Sequence, residues 1–382
     1  MKKIALLGCT GSIGQQVINV AMRYPERFSI VAMAANRGSK LFFEQVNLIK
    51  PRLAVLHDKN SESGECPSST RFCKGEEAFE EACTFAEADI IFVAVSGFAG
   101  LKAALLALEA GKDVALANKE CLVAGGELVN RAAKKTGAEI LPVDSEHSAI
   151  WQALGFDRKK KFKKIILTAS GGALRDVPID RLPYCTAKDA LAHPNWKMGD
   201  KITIDCATML NKGFEVMEAM QLYGAPLEKI ETVIHRESII HSMVAFEDGS
   251  VLAQMSNPSM EIPIQLALTY PDRLDSGVAP LDFKAVGSLH FSEPEPKRYP
   301  CFTLALECAK AGGNLPCALV GAGEAAVAAF LKGKIKFTQI AEIIESALSG
   351  IARGGVEEYS VLKETYDTAV GKAENCVLRF GG

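Results

Sequence analysis

Nowhere in the chain of 382 residues do two cysteines form a Cys-x-x-Cys pair, although eleven cysteines are present. That argues against a zinc site, and an odd, scattered set argues against a disulfide framework. Reduced thiols in a cytoplasmic compartment are the simpler expectation. Missing too is any apolar run long enough to span a bilayer. The opening Met1-Lys2-Lys3-Ile4-Ala5-Leu6-Leu7-Gly8-Cys9 imitates a lipoprotein signal, but its apolar part is only four residues and reads better as a first strand. Charge of one sign is not in excess: 43 Lys and Arg against 46 Asp and Glu leave a net −3. No overall basic field therefore draws the chain to nucleic acid or anionic lipid, and neither partner is expected. Internal repeats and low-complexity tracts are also lacking. What remains is 48% hydrophobic and 23% charged, the balance of a soluble globular protein too long for one core.

The first half alternates short apolar strands with helical stretches. Strands are expected at Ile4–Leu7, Phe28–Met33, Ala54–Leu56, Ile90–Val95, Val114–Ala117 and Ile140–Val143. This rhythm predicts an α/β fold that opens with a Rossmann-like parallel sheet over residues 1–143. A second α/β region, 144–270, has strands at Lys164–Thr168, Ile230–His235, Ser242–Phe246 and Val251–Met255. Glu247-Asp248-Gly249-Ser250 signals a hairpin, so this central catalytic domain is expected to carry a mixed sheet. Prolines 271, 280, 294, 296 and 300 mark residues 271–300 as an extended linker. Helical periods return at 302–311, 318–331, 338–348 and 361–369, giving a C-terminal helical bundle over 301–382.

Gly8-x-x-Gly11-x-x-Gly14 follows the first strand and opens a helix. Glycines there let the backbone approach a pyrophosphate, and the helix N-terminus supplies N–H groups and partial positive charge. Thr10 and Ser12 are placed to cap that helix or to bind phosphate oxygens. The second strand runs into Asn36-Arg37-Gly38-Ser39-Lys40 without the acid that an NAD enzyme sets against the ribose 2′-hydroxyl. A cation there suits a 2′-phosphate, which points to NADPH. Val95–Gly100 and Ala117-Asn118-Lys119-Glu120 follow later parallel strands, where open α/β sheets form their binding crevice.

Asp144-Ser145-Glu146-His147 ends another strand, and in extended geometry Asp144 and Glu146 share a face. Adjacent carboxylates repel unless a cation or proton joins them. Glu215 and, three residues on, Glu218 add acids on one face of a helix. All-oxygen donors suit a hard divalent cation, Mg²⁺ or Mn²⁺. Spacing alone reads better as a solvated acidic turn, and His147 as a packing or capping residue. Thr168-Ala169-Ser170-Gly171-Gly172 offers a phosphate nest or a plain loop. His193-Pro194-Asn195-Trp196-Lys197-Met198-Gly199 has the makeup of a lid, or of a loop anchored by a buried tryptophan.

These segments, together with Ala207-Thr208-Met209-Leu210-Asn211-Lys212-Gly213 and Ile240-His241-Ser242-Met243-Val244, resemble the motifs of the 1-deoxy-D-xylulose 5-phosphate reductoisomerase family in order and spacing, over nearly the whole chain. The resemblance implies an NADPH- and metal-dependent isomerisation and reduction of a small phosphorylated keto-sugar to 2-C-methyl-D-erythritol 4-phosphate, in the non-mevalonate isoprenoid route. It implies a metal held by Asp144, Glu146 and Glu215. Ser145, Ser170, His193, Trp196, Met198, Cys206, Asn211, Lys212, Glu215, Ser238 and His241 would meet substrate. Glu146, Lys212, His193 and Glu218 would serve catalysis, with Glu146, Glu218 and a metal-bound hydroxyl all open as proton acceptors. Gly8, Thr10, Gly11, Ser12, Ile13, Asn36, Arg37, Gly38, Asn118, Lys119, Glu120, Gly199 and Met260 would meet the cofactor. A homodimer joined through the second sheet is implied as well. The chain departs from the family at Cys206, where a phosphate-contacting serine is usual. It departs at Arg236-Glu237, in place of Pro-Gln, and at Val320-Gly321-Ala322-Gly323, which lacks the usual asparagines. A plain NADP dehydrogenase and an NADP-sensing scaffold are the rival readings; the acid set and the lid argue against both.

Overall fold

The computed structural model describes residues 1–380. The chain forms two compact units. The first comprises Met1–Cys121, Val129–Ser145 and Ser259–Val278. The second comprises Leu122–Leu128, Glu146–Pro258 and the chain from Ala279 onward.

In chain order the first unit begins with β1 (Lys2–Leu7), α1 (Ser12–Arg23), β2 (Phe28–Ala35), α2 (Lys40–Ile49), β3 (Leu53–Leu56) and β4 (Arg71–Lys74). It continues through α3 (Glu76–Cys83), β5 (Ile90–Val93), α4 (Ala99–Glu109), β6 (Asp113–Leu116), α5 (Lys119–Thr136) and β7 (Ile140–Pro142). The sheet is wholly parallel, in the order β4-β3-β2-β1-β5-β6-β7. Ile4 to Leu7 are fully buried, as in a sheet covered on both faces. Fully burying such a leucine or isoleucine contributes about 1.5–3 kcal/mol. The strand order reverses at β1, so the crevice at the switch point lies beyond the ends of β1 and β5.

Strand β4, Arg-Phe-Cys-Lys, has no place among the strands expected from the sequence. It is an edge strand, paired only with β3. An edge needs no apolar run and is protected by charge, here Arg71 and Lys74. The structure also carries α10 (Glu261–Thr269) and the chain as far as Val278 into this unit, although the sequence set them with the central domain and linker. Polar ties to α1 and its flanks hold the segment: Arg23 to Glu261 at 2.6 Å, Arg27 to Asp272 at 2.7 Å, and the Tyr24 hydroxyl to the Asp275 carbonyl at 2.6 Å.

The second unit contains α6 (Ser145–Ala153), β8 (Lys164–Ala169), α7 (Ala187–Leu191), α8 (Asp200–Ala207), α9 (Leu210–Tyr223), β9 (Ile230–Ile234), β10 (Ile240–Ala245) and β11 (Val251–Met255). After α10 come α11 (Phe283–Val286), α12 (Pro300–Ala311), α13 (Leu315–Leu331), α14 (Gln339–Ser349) and α15 (Tyr359–Phe380). The sheet is mixed, as expected, in the order β11-β10-β8-β9. β8 runs parallel to β9, and β10 antiparallel to β8 and β11. The hairpin at Asp248-Gly249 closes as its residues suggest, Asp248 accepting from the Ser250 N–H and hydroxyl. The C-terminal helices do not stand apart from the central segment. Helix α12 lies so close on α9 that a Cβ added at Gly213 would sit 2.2 Å from that of Ala305. Covered in this way, α9 is buried almost all round, yet it carries Asn211, Lys212, Glu215 and Glu218.

Candidate functional site

In the first unit the glycine loop follows β1 directly. Gly8 has φ +89°, and an added Cβ would lie 2.4 Å from the Ala94 carbonyl oxygen at the end of β5. At Gly14 an added Cβ would meet the Gly8 carbonyl at 2.3 Å, which is how closely helix and loop pack. Neither Thr10 nor Ser12 caps α1. Gly11 occupies the cap position with no side-chain bond, because Ser12 is already the first helical residue. The exposed first turn thus keeps its backbone N–H groups for an anion. Ile13 is half-buried beside them.

At the end of β2, Asn36 and Arg37 are exposed, and Arg37 Nε lies 3.4 Å from Asp58. Gly38 passes close under the Glu62 carbonyl. Ser39 caps α2, its hydroxyl accepting from the Phe42 N–H. Asn118 is buried and fully employed: it caps α5 at Cys121 N and donates to the Gly97 carbonyl and to Glu120. The loops after β5 and β6 are therefore one linked structure. Met260, remote in sequence from all of these, belongs to the same unit, whereas Gly199 belongs to the other, at the start of α8.

The acids come from two kinds of local geometry. Asp144 sits after β7 and pairs with the buried Lys119 at 2.7 Å. Helix α6 starts at the next residue, Ser145, so Glu146 is helical. The extended geometry expected for Asp144 and Glu146 is therefore not what relates them. In the second unit Lys212 Nζ stands 3.1 Å from Glu146 and also contacts Glu215. Asn211 donates to Glu215 at 2.5 Å. Glu215 is 1% exposed, so a carboxylate has been taken out of water and given a cation and an amide instead. Glu218, one turn on, faces His147 at 2.9 Å, and both are buried. Sequence reasoning left His147 aside. Its spacing gave no sign of that pairing, which joins α6 to α9.

A second cluster gathers around β8. Ser170, Gly171 and Gly172 follow the strand, with φ +78° and +72° at the glycines. The Ser170 hydroxyl accepts from Gly172 N at 3.1 Å and lies 2.9 Å from His193 Nε2. His193 Nδ1 accepts from the N–H groups of Asn195 and Trp196 at 3.2 and 3.0 Å. In the neutral ring the proton is thus on Nε2, which donates to Ser170. Burial, and then the charge of Arg175, push the imidazole down to about 4. Asn195 reaches Ser238 Oγ at 2.9 Å, and Trp196 stands edge-on to His241 with centroids 6.0 Å apart. Met198 and Cys206 are half-buried. Two of the four non-glycine residues with positive φ among the described residues, Met209 and Ser238, lie here. Strain of that kind collects at functional sites.

The Ser170–Gly172 loop, the loop 193–199 and the Asn211-Lys212 pair thus belong to one unit, and the glycine loop to the other. Sequence reasoning missed Arg175, which donates to the Ser170 carbonyl at 2.8 Å; a surface arginine in a loop carries no signal of that role.

Comparison with known proteins gives a consistent result. Residues 4–126 match the family model of 1-deoxy-D-xylulose 5-phosphate reductoisomerase, and 140–223 and 255–371 match its C-terminal domain models. The chain is 49% identical over 352 residues to 1-deoxy-D-xylulose 5-phosphate reductoisomerase of Geobacillus kaustophilus, covering 91% of this chain and 92% of that one. It is 47% identical over 355 residues to that of Clostridium acetobutylicum, covering 91% and 92%. Among solved structures, the Zymomonas mobilis reductoisomerase in complex with NADPH superposes with a TM-score of 0.89 at 38% identity, covering 98% and 99%. A DOX-P reductoisomerase in complex with NADPH, fosmidomycin and magnesium superposes with a TM-score of 0.90 at 36% identity, covering 99% and 98%.

Proposed function

The chain belongs to the 1-deoxy-D-xylulose 5-phosphate reductoisomerase family, and from that premise we propose how its own side chains carry the reaction. It is an NADPH- and divalent-metal-dependent enzyme that converts 1-deoxy-D-xylulose 5-phosphate to 2-C-methyl-D-erythritol 4-phosphate, for isoprenoid precursors. One observation carries the assignment of the site: the Lys212 ammonium set against both Glu146 and the buried Glu215. A carboxylate buried in this way is built to face positive charge, and its all-oxygen donor set fits Mg²⁺ or Mn²⁺.

Asp144, Glu146 and Glu215 would hold the cation, which supplies charge to polarise the substrate's carbonyl and hydroxyl oxygens. Ser145 borders these ligands and faces the substrate hydroxyls. Lys212 and Asn211 hold Glu215 in place and reach toward substrate. Glu146, with 17% of its side chain exposed against 1% for Glu218, is the acid able to accept a substrate proton. Glu218 holds His147 and through it the placement of α6. The neutral His193 donates to Ser170 and so orients that hydroxyl toward a phosphate bound over Gly171-Gly172. Trp196 and Met198 cover the substrate and keep water out. Ser238 and His241 form the wall behind the lid, and Cys206 supplies a weaker donor than serine would.

The first unit binds NADPH, which supplies hydride. Gly8, Gly11, Ser12 and Ile13 present backbone to the pyrophosphate, and Arg37 faces the 2′-phosphate. The exposed apolar edge of the second sheet, Val251 and Leu252 on β11, supports a homodimer joined there. The cysteine pattern supports a cytoplasmic location.

The test is loss of NADPH absorbance on adding 1-deoxy-D-xylulose 5-phosphate with Mg²⁺, then with EDTA. Metal-dependent oxidation with the branched product is expected. Glu215→Gln should abolish it while leaving NADPH binding intact, and normal turnover by that variant would refute the metal assignment.

A further inference from the structure

The turn from His235 to Ser238 carries Arg236 and Glu237. The turn is closed by Ser238 N donating to the His235 carbonyl at 3.2 Å, with Ser238 at φ +55°. Its Arg236 carbonyl is a shared acceptor. Asn195 of the lid donates to it at 2.6 Å, and Arg175, which also holds the Ser170 carbonyl, donates at 3.3 Å. One peptide group therefore joins the lid to the phosphate loop.

The two central side chains brace the turn on opposite flanks. Arg236 Nη2 donates to Asp176 at 2.5 Å. Glu237 takes the linker: its Oε1 lies 2.7 Å from His290 Nδ1, and its Oε2 accepts from His290 N at 3.2 Å. The same Oε2 lies 3.1 Å from Nδ1 of the fully buried His235. His235 Nε2 accepts from the N–H groups of Ile239 and Ile240, each at 3.2 Å, so the ring proton is on Nδ1. That proton also meets the His290 carbonyl at 3.0 Å. Because Nδ1 has no lone pair to offer, the two histidines and the glutamate do not form a metal cage. Phe291 stacks on His235 at 4.9 Å, and Ser292 exchanges both backbone hydrogen bonds with Ile234. A cavity of about 510 Å³ opens beside Glu237, His290 and the arginines, so the Glu237–His290 contact faces water while His235 does not. Burial acts to raise the Glu237 carboxyl, but the hydrogen bonds from His290 outweigh it and hold the group below its ordinary range.

We propose that Glu237 is a positioning residue for the lid: by gripping His235 and His290 it fixes the turn whose Arg236 carbonyl and Ser238 hydroxyl receive Asn195. It touches neither the acids nor the glycine loop, so its effect reaches substrate through the lid alone. This rests on the function proposed above, in which the lid closes over the phosphorylated substrate.

The experiment compares Glu237→Ala, Glu237→Gln and His290→Ala in the full chain with Mg²⁺ and NADPH. Glu237→Ala should raise KM for 1-deoxy-D-xylulose 5-phosphate about five-fold or more, the effect of losing a charge-assisted hydrogen bond, and leave KM for NADPH within about two-fold. Glu237→Gln keeps an acceptor oxygen and should restore most of the loss. His290→Ala removes a side chain that is 68% exposed and should shift KM in the same direction by less. A second readout needs no turnover. In a Trp151→Phe background the only indole is Trp196, and Glu237→Ala should make it about two-fold more open to acrylamide quenching, as expected for a loosened loop. Unchanged KM and quenching in Glu237→Ala would overturn the proposal. So would a parallel loss of substrate affinity, NADPH affinity and Tm that glutamine does not restore. Failure of the wild type to turn over would count against the functional reading instead, and the quenching result would still decide this one.

Discussion

Replacing Gly172 by alanine tests whether the Ser170–Gly172 loop, proposed above to hold the substrate phosphate, depends on its contact with α8. Gly172 has φ +72°, and an L-residue held there costs about 1–2 kcal/mol. The added Cβ would also lie 2.4 Å from Ala207 Cα, 2.7 Å from the Cys206 carbonyl oxygen and 2.8 Å from Ala207 N. All three are backbone atoms, and carbon contacts relax at about 3.5–4.0 Å, so loop and helix end must separate by roughly 1 Å. Overpacking of this kind adds about 1–3 kcal/mol. The sum is about 2–5 kcal/mol, which at roughly 2–4 °C per kcal/mol lowers the melting of the second unit by about 4–20 °C. Gly155→Ala is the matched control: φ is +69°, but nothing lies within 4 Å of its added Cβ, so it carries the conformational term alone. Calorimetry on both variants separates the two terms. Kinetics should show KM for the sugar phosphate raised about ten-fold in Gly172→Ala, from a shift of about 1 Å at the binding loop. KM for NADPH should not change. If Gly172→Ala melts no lower than Gly155→Ala and binds substrate normally, the contact between loop and helix is not what shapes the site.

Arg37→Asp should raise KM for NADPH by about ten-fold or more and narrow the preference over NADH, because the cation proposed to face the 2′-phosphate becomes an anion. Unchanged preference, measured as the ratio of kcat/KM for the two nucleotides, would remove Arg37 from the cofactor site. His193 should stay neutral down to about pH 4. Its folded pKa lies below the unfolded value of about 6.5, so the unfolded chain binds more protons between the two. Stability from this group is therefore whole above pH 6.5 and falls as the pH drops toward 4. Imidazole NMR should show no His193 titration near pH 6.5, and a midpoint there would contradict the burial and donor pattern described. Sedimentation should find twice the chain mass, and Leu252→Lys on the β11 edge should shift it toward the monomer; a wild-type monomer at micromolar concentration would refute the joined sheet.

The parallel sheet was legible because its strands are buried on both faces and so read as unbroken apolar runs. The glycine loop was legible because its requirements are local, a strand before and a helix after. Edge strand β4 was not, since an edge carries little apolar pattern. The acids Asp144, Glu146 and Glu215 were visible as residues, but their relation was not. The sequence reads as extended across Asp144 and Glu146, while a helix in fact begins at Ser145.

The sequence by itself determined the fold class and, through the ordered motifs, the family and with it the use of NADPH. These depend on local chemistry and on residue order. Only the tertiary structure decided that Met260 and α10 join the first unit, that Lys212 stands between Glu146 and Glu215, and that Glu218 meets His147. It alone gave His193 a proton on Nε2 and made the Arg236 carbonyl a shared acceptor for Asn195 and Arg175. Each of these is a contact between residues distant in the chain, selected by burial, and burial is a property of the packed molecule that no short stretch of sequence contains.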